Sequence, residues 1–241
     1  RNYLRALSRY GRVVTQRNGL LKSFARDRLQ PGSINAVTQL AFWDEQLVST
    51  GAYVIASRLC FVDRLSGLMQ ARSLGIIRDA VIDLSYVSKL DLGSIAENEP
   101  HDDVHRLTES VAARFHDQLA VKRPEEFRRG VTSIGPHRDD VMFGMNGRDL
   151  AIYGSRGQQR LGVVAIKLAE GDLIAGETGE KPILMLDDVL SELDGAHRDL
   201  LLHAVAGNDR QLIVTSTEHP PLDHSSLQYL PMVDVEAGRL R

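Results

Sequence analysis

The chain has 241 residues, of which 43% are hydrophobic and 25% are charged, and its formal net charge is −3. This length suffices for one large domain or two small ones with a buried core. The charge balance argues against a protein that coats nucleic acid over its whole surface, and no stretch approaches the roughly 18 uncharged apolar residues of a membrane span. The single cysteine, Cys60, cannot form an internal disulfide, so we expect a buried thiol in a reducing, cytoplasmic compartment.

The first 28 residues predict an amphipathic helix with one basic face. They carry eight basic residues against one acid, Asp27. At 100° per residue, four of the arginines fall within about 80° of one another: Arg1, Arg5, Arg9 and Arg12. Such a face suits contact with DNA phosphates. Alternatively, it is a solvated face whose arginines pair with acids elsewhere in the fold.

A second helix is predicted between the break at Pro31-Gly32 and about residue 75. Ser33 can cap this helix, and apolar residues recur at steps of three to five, which predicts one long helix that is either continuous or broken near Gly51. Two long antiparallel helices form an arm rather than a compact catalytic core. We therefore predict a helical arm over residues 1–75 and an α/β head over residues 76–241.

The rest of the chain predicts strands that alternate with helices. A strand over 80–87 precedes a polar loop (91–103) and a helix (105–119). A tight turn at Asn146-Gly147 should join strands over 141–145 and 150–153. Helix, strand, helix and strand follow over 156–215, and a final hairpin turns at Ala237-Gly238.

A run of four apolar residues, Ile183 to Leu186, predicts a parallel strand that is buried on both faces. It ends in two carboxylates, Asp187 and Asp188. In an open α/β sheet, ligands bind at the carboxyl ends of the strands. One aspartate there can hold Mg²⁺ that bridges nucleotide phosphates, and a second acid can orient the attacking water. The alternative is an apolar strand that exits into a polar turn.

The segment SRGQQR (Ser155 to Arg160) precedes a predicted amphipathic helix. Ser-x-x-Gln is a capping box, in which Ser155 caps the helix and Gln158 bonds back to the Ser155 backbone. A capping box gives no reason for Gly157, whereas a glycine lets an anion approach the backbone N–H groups at a positive helix end. Phosphate binding would use all of these features together.

The order of these segments resembles that of ATP-binding-cassette (ABC) ATPases: signature motif, helix, Walker B strand and D-loop. The variant SRGQQR followed by LDDVLSELD is similar to the RecF family in particular. The resemblance runs from Tyr3 to about Glu218 and implies an α/β, ABC-ATPase-like head, present in its C-terminal portion, with an antiparallel helical arm. Four further stretches share it: QRNGLLK (Gln16 to Lys22), FWDEQL (Phe42 to Leu47), GPHRDD (Gly135 to Asp140) and VTSTE (Val214 to Glu218).

The resemblance also implies roles for individual residues. Asp187 would serve Mg²⁺, and Asp188 would stand where most ABC ATPases have a catalytic glutamate, its shorter side chain suiting slow, switch-like hydrolysis. The signature residues would contact the γ-phosphate of ATP held by the facing protomer: Ser155, Gly157, Gln158 and Arg160.

Two further groups of residues are implied in the same way. Ser191 and Asp194 would lie in the D-loop across a dimer interface. The usual switch histidine has no clear counterpart, and the candidates for its role are Thr217 and His219.

By this resemblance, the intact protein would form a homodimer on ATP and hold double-stranded DNA near single-strand gaps. It would help to load recombinase through recombination mediator proteins, and hydrolysis would release it. The implied processes are DNA replication, recombinational repair and the SOS response, with ATP and Mg²⁺ as cofactors.

The sequence contains no G-x-x-x-x-G-K-[ST] motif, whose lysine and hydroxyl hold the phosphates and Mg²⁺. The nearest string, GETGEK (Gly176 to Lys181), lacks the spacing. In this family the P-loop lies N-terminal to the arm, so we expect a fragment that is inactive as an ATPase by itself. The alternative is a natural, non-catalytic adaptor with a degenerate ABC head.

The turn Gly135 to Asp140 contains His-Arg-Asp, but the kinase catalytic loop requires an asparagine where Gly144 stands, which excludes a kinase. Two interpretations stay open. The turn either leads into the hairpin with Arg138 paired to Asp139 or Asp140, or it faces a nucleotide or an interface.

Two other classes are disfavoured. The SMC and RecN branches of the ABC proteins need an arm far longer than roughly 75 residues. A metal-dependent hydrolase that uses Asp187, Asp188 and the His-Arg-Asp turn lacks any further ligand spacing.

Overall fold

The computed structural model describes residues 2–76, 80–95, 101–190, 195–206, 211–217 and 233–240. The chain divides into two compact units, Arg1–Arg64 with Leu84–Met142 and Leu65–Asp83 with Phe143–Arg241. The predicted arm (1–75) and head (76–241) stay a prediction about the domains of the intact protein. None of the described helices combines the length and the apolar character that crossing a membrane requires.

Two long helices begin the chain, as predicted. Helix α1 comprises Asn2–Arg26, and helix α2 comprises Ile34–Ile76. The Ser33 hydroxyl accepts a hydrogen bond from the Ala36 backbone N–H at 3.4 Å, which confirms the predicted cap. Buried residues of α1 recur every three or four positions, so that one stripe of the helix faces the core: Tyr10, Val13, Arg17, Leu21 and Phe24.

Helix α2 is continuous through Gly51, so the predicted single long helix is confirmed and has no break there. A Cβ atom at Gly51 would lie 2.7 Å from Phe115 Cε1 and 2.9 Å from Tyr10 Cε2. The glycine is therefore required by packing, because it lets two aromatic rings approach the backbone of α2. Both rings belong to the main hydrophobic core of the first unit, together with Leu47 and Val111.

A third helix, α3, comprises Val104–Arg129 and packs against α1. Asp103 caps its start by accepting from the His105 backbone N–H at 2.8 Å, and Gly130 ends it in the left-handed conformation with φ of 66°. The helix extends beyond its predicted end at Leu119. The described residues of the first unit therefore include α1, α3 and most of α2.

A buried network of charged side chains joins these three helices. Arg17 is fully buried, and its guanidinium lies 2.7 Å from a carboxylate oxygen of Asp44 and 2.7 Å from one of Glu126. It also donates to the Thr132 hydroxyl at 2.9 Å. Arg123 contacts the second oxygen of Asp44 at 2.9 Å. Two cations thus face two carboxylates, which balances the buried charge.

Strands β1 (Ile82–Val87), β2 (Asp140–Met145) and β3 (Arg148–Asp149) form one sheet in that order. The strand predicted over 80–87 is therefore confirmed. Asn146 and Gly147 have φ of 51° and 73°. These positive values are those of the tight turn that the Asn-Gly pair predicts.

The strand predicted over 150–153 is wrong, because Leu150–Tyr153 forms a single helical turn, α4. Asp149 accepts from the Ala151 backbone N–H at 2.8 Å and so caps this turn. Leu150 is 1% exposed, and a Cβ atom at Gly162 would lie 2.6 Å from its Cδ2. The cap and the packing of Leu150 end the hairpin after two residues.

The second unit confirms the predicted order of helix, strand, helix and strand. β4 and β5 pair in parallel, with Leu184 opposite Leu212 and Asp187 opposite Thr215. Because both strands run in one direction, they end at the same edge of the sheet. The four elements are α5 (Arg156–Thr178), β4 (Leu184–Asp187), α6 (Gly195–Ala206) and β5 (Leu212–Thr215).

The prediction that the strand over 183–186 is buried on both faces is wrong for the described residues. Ile183 and Met185 are 56% and 69% exposed, whereas Leu186 is 5% exposed. Met185 is the register partner of Ile213, which is 40% exposed on the same face. Burial alternates along β4 because one face of this two-stranded sheet is covered and the other is open.

The predicted C-terminal hairpin is confirmed. β6 (Val235–Glu236) pairs with β7 (Arg239–Leu240) in antiparallel fashion. Ala237 and Gly238 turn the chain with φ of 52° and 77°.

Replacing Arg17 by Met should lower the free energy of unfolding by about 3–5 kcal/mol, because Glu126 and Asp44 lose a buried cation. The matched control is Arg12→Met on the exposed face of the same helix, which should change stability by about 0.5 kcal/mol or less. Urea unfolding followed by circular dichroism measures both. Equal effects of the two substitutions would contradict a stabilising role for the network.

Candidate functional site

The carboxylate of Asp187 lies at the carboxyl end of β4, as predicted. The Thr215 hydroxyl donates to Asp187 Oδ1 at 2.6 Å, and the Asp188 backbone N–H donates to the Thr215 carbonyl at 3.2 Å. Asp188 has φ of 51°, so the chain turns sharply immediately after the strand. The Asp187 side chain is exposed and is held by a hydrogen bond from the neighbouring strand. A ligand that binds at this edge of the sheet would therefore meet its carboxylate.

Helix α5 begins with the predicted capping box. The Ser155 hydroxyl accepts from the Gln158 backbone N–H at 3.2 Å, and the Gln158 side chain accepts from the Ser155 backbone N–H at 2.9 Å. Gln159 donates to the carbonyls of Leu150 and Ala151 at 3.2 and 3.0 Å, which anchors the helix start to α4. Ser155 itself is exposed. The cap therefore accounts for the local structure and still leaves the hydroxyl accessible to a ligand.

The start of α5 and the end of β4 line one cavity of about 470 Å³ within the second unit. Two arginines, Arg156 and Arg160, line it together with Asp187 and Asp188. A guanidinium is suited to binding phosphate, and carboxylate oxygens are the ligands that Mg²⁺ prefers. The cavity thus combines groups of both kinds, as a metal-bound phosphate compound requires. Within the described ranges, no group of three or more His, Cys, Asp and Glu side chains is placed so that it could hold a metal ion by itself.

A second cavity, of about 410 Å³, lies on another side of the same helix start. Its lining includes Arg148, Asp149, Tyr153 and Gln158. Tyr153 is 69% exposed, two residues before the Ser155 cap. Sequence reasoning missed Arg148 and Tyr153, because both lie in a segment that was predicted to be an ordinary hairpin.

The remaining predicted site residues are distributed as follows. Gly157 lies in the first turn of α5 and is partly buried. Thr217 is exposed beyond the end of β5. Ser191, Asp194 and His219 lie outside the described residues.

Thr215 is a site residue that sequence reasoning missed. It pairs with Asp187 in the sheet and hydrogen-bonds to it, whereas the predicted switch candidate Thr217 lies two residues further on. The stretch VTSTE did carry the signal, because it spans the end of β5 and contains three consecutive hydroxyl side chains. The strand register decides which of them meets the aspartate.

The predicted basic face is present on α1 in the first unit. Arg5, Arg9 and Arg12 are exposed. Arg9 also donates to the side chain of Gln46 on α2. Arg1 lies outside the described residues.

The turn Gly135 to Asp140 is held by contacts within the first unit. Asp139 accepts from the Tyr86 hydroxyl at 2.6 Å, the Ser88 hydroxyl at 2.9 Å and the Lys89 backbone N–H at 2.8 Å. The expected pairing of Arg138 with Asp139 or Asp140 is absent from the ion pairs of the described residues. A structural role for this turn is therefore established, and a nucleotide-facing role stays a prediction.

The turn Gly135 to Asp140 also contacts Tyr10 of α1 through the side chain of His137. The Tyr10 hydroxyl lies 2.7 Å from His137 Nδ1, and a Cβ atom at Gly135 would lie 2.4 Å from the same hydroxyl. Burial raises the pKa of Tyr10 and lowers the pKa of His137. Both groups are therefore neutral at pH 7, which fits a tyrosine hydroxyl that donates to the imidazole.

No family model matches the chain. The chain is, however, similar over its length to proteins named DNA replication and repair protein RecF. It is 42% identical over 243 residues to that of Thermomicrobium roseum and 40% identical over 239 residues to that of Bacillus subtilis. These matches cover 100% and 99% of the chain. The chain spans about 60% of the length of these curated relatives.

The fold is also similar to two solved structures of the recombination mediator protein RecF in the RecFOR pathway. One, described as RecF-ATPrS, gives a TM-score of 0.68 at 26% identity and covers 99% of this chain and 58% of that one. The other, described as RecF-ATP, gives a TM-score of 0.66 at 29% identity. That match covers 90% of this chain and 53% of the other one. The architecture is therefore the α/β, ABC-ATPase-like fold of RecF, in the part of that fold which the chain covers.

Replacing Ser155 by Ala should lower the free energy of unfolding by about 1 kcal/mol, because α5 loses its cap. Ser155→Asp, which retains a capping oxygen, should keep nearly full stability. Thermal unfolding of the two variants separates the capping role of the hydroxyl from any role in binding. If Ser155→Ala were as stable as the parent chain, the capping box would not contribute to stability.

Proposed function

Because this chain belongs to the RecF family of DNA replication and repair proteins, we propose that it supplies the signature, Walker B and D-loop segments of an ATPase in recombinational repair. An intact family member would bind ATP and Mg²⁺ and dimerise on ATP. The P-loop would come from the part of the relatives that this chain does not span. We expect the protein to act in the cytoplasm.

One observation carries this proposal: a capped, glycine-containing helix start and a strand-end aspartate both face solvent in the second unit. Asp187 would bind the Mg²⁺ that bridges the phosphates. Asp188, the next carboxylate, would orient the attacking water. Ser155 and Gly157 would offer a hydroxyl and bare backbone N–H groups to the γ-phosphate held by the other copy.

The positive groups around this helix start support an anionic ligand. Arg156 and Arg160 lie on the first turns of α5 and line the cavity that also contains Asp187. The helix dipole adds a partial positive charge at the same end. These groups would stabilise the charge that develops on the γ-phosphate held by the other copy during its transfer to water.

The DNA-binding part of the proposal is supported by the basic face of α1. Arg5, Arg9 and Arg12 are exposed along one helix, and exposed arginines in a row are suited to contact with successive phosphates. Double-stranded DNA near single-strand gaps would be the substrate, and recombination mediator proteins would be the partners in recombinase loading. Binding through such contacts should weaken steeply as the salt concentration rises.

The alternative is a non-catalytic adaptor that uses the helices for binding and has a degenerate head. The two functions differ in their response to nucleotide. An adaptor would bind DNA or its partner equally well with and without ATP.

In the intact protein, Ser155→Arg should abolish ATP-dependent dimerisation while ATP binding by the monomer persists, because a long cation would occupy the γ-phosphate position. The matched control is Gly176→Arg near the far end of the same helix, where an added side chain meets nothing within 4 Å. Light scattering with and without ATP measures the dimer. Unchanged dimerisation of Ser155→Arg would refute the assigned role of this helix start.

A further inference from the structure

A cavity of about 700 Å³ lies between α1 and α2 in the first unit. We call it the α1–α2 groove. Residues from 8–16 on α1 and from 42–46 on α2 line it. Its volume falls in the range of pockets that enclose a ligand side chain or a small molecule.

The lining of the groove includes a glycine that packing does not require. Gly11 lies in the middle of α1, where glycine weakens a helix relative to alanine. A Cβ atom at Gly11 would meet nothing within 4 Å. Gly51 differs in this respect, since aromatic rings fill the space beside it. The space beside Gly11 is therefore open to a molecule from outside the chain.

One wall of the groove is aromatic. Phe42 is 58% exposed, and its ring meets that of Trp43 edge-on, with 5.2 Å between the centroids. This wall therefore offers apolar surface to a side chain that enters the cavity.

The charge around the groove has one sign. Among the described residues that line it, the charged ones are Arg9 and Arg12, and both are basic and exposed. Helix α1 as a whole contains no acidic residue. Glu45 on α2 is exposed but does not line the groove. Charge complementarity therefore favours an occupant with carboxylates beside an apolar group.

We propose that the α1–α2 groove binds an acidic protein segment, which inserts one large apolar side chain between Gly11 and Phe42. Carboxylates that flank this side chain pair with Arg9 and Arg12. Single-stranded nucleic acid fits less well, because such sites present a series of exposed aromatic faces along a groove. Here the two rings contact each other, and Trp43 is partly buried.

The test uses the 241-residue chain and a short fluorescein-labelled peptide with one central Phe between Asp and Glu residues. We expect binding by fluorescence anisotropy, and Phe→Ala in the peptide should weaken it about tenfold because the anchor is lost. Gly11→Leu should weaken binding about tenfold as well, since leucine fills the groove. The matched control is Gly19→Leu on the same helix, where an added side chain also meets nothing within 4 Å but lies outside the groove.

Gly11→Leu also separates this proposal from the DNA-binding role of the same arginines, because it changes no charge. Gly11→Leu should leave the affinity for duplex DNA unchanged, whereas Arg12→Glu should lower the affinities for both the peptide and the DNA. Leucine favours the helix over glycine, and circular dichroism checks that each variant is folded. Three results would overturn the proposal: no peptide binding, equal binding by Gly11→Leu and Gly19→Leu, or a groove that binds an oligothymidylate in place of the peptide.

Discussion

The parallel pairing of β4 with β5 is the constraint on which the candidate site depends. Its register sets Asp187 opposite Thr215, and the threonine hydroxyl holds one carboxylate oxygen at 2.6 Å. The left-handed conformation of Asp188 turns the chain away at once, so that Asp187 stays exposed at the sheet edge. A slip of one residue would direct Asp187 to the opposite face. Every role proposed for the two carboxylates therefore rests on this register.

The start of α5 combines a structural task with a proposed chemical one. Ser155 Oγ accepts the N–H of Gln158, and this leaves its own O–H able to donate to a phosphate. Arg156 and Arg160 extend the positive surface towards Asp187 of the same chain. In the first unit, charged side chains have a structural role instead, because the buried ion pairs around Arg17 join three helices. The charged groups of the chain thus serve both the architecture of one unit and the chemistry proposed for the other.

Local signals in the sequence predicted the helices, the turns and the cap at Ser155, because neighbouring residues alone determine these features. The errors arose where residues far apart in the sequence decide the structure. The sequence left open whether Gly51 breaks the helix, because the aromatic rings that require this glycine lie far away in the sequence. Leu150 was predicted to lie in a strand. Its burial against the later helix α5, together with the cap by Asp149, places it in a helical turn instead. Thr215 was missed in favour of Thr217, since only the register with β4 shows which hydroxyl meets Asp187.

The central claim is that Ser155 of one copy and Asp187 of the other complete a shared ATP site. Mixing two inactive variants of the intact protein, Ser155→Arg and Asp187→Asn, tests it most directly. If the site is shared, a mixed dimer contains one site with both residues unaltered. That site can still close on ATP and hold the two copies together, so the mixture should hydrolyse ATP although neither variant does so alone. If each site belongs to a single chain, every site in the mixture carries one defect. A mixture no more active than its components would contradict the account.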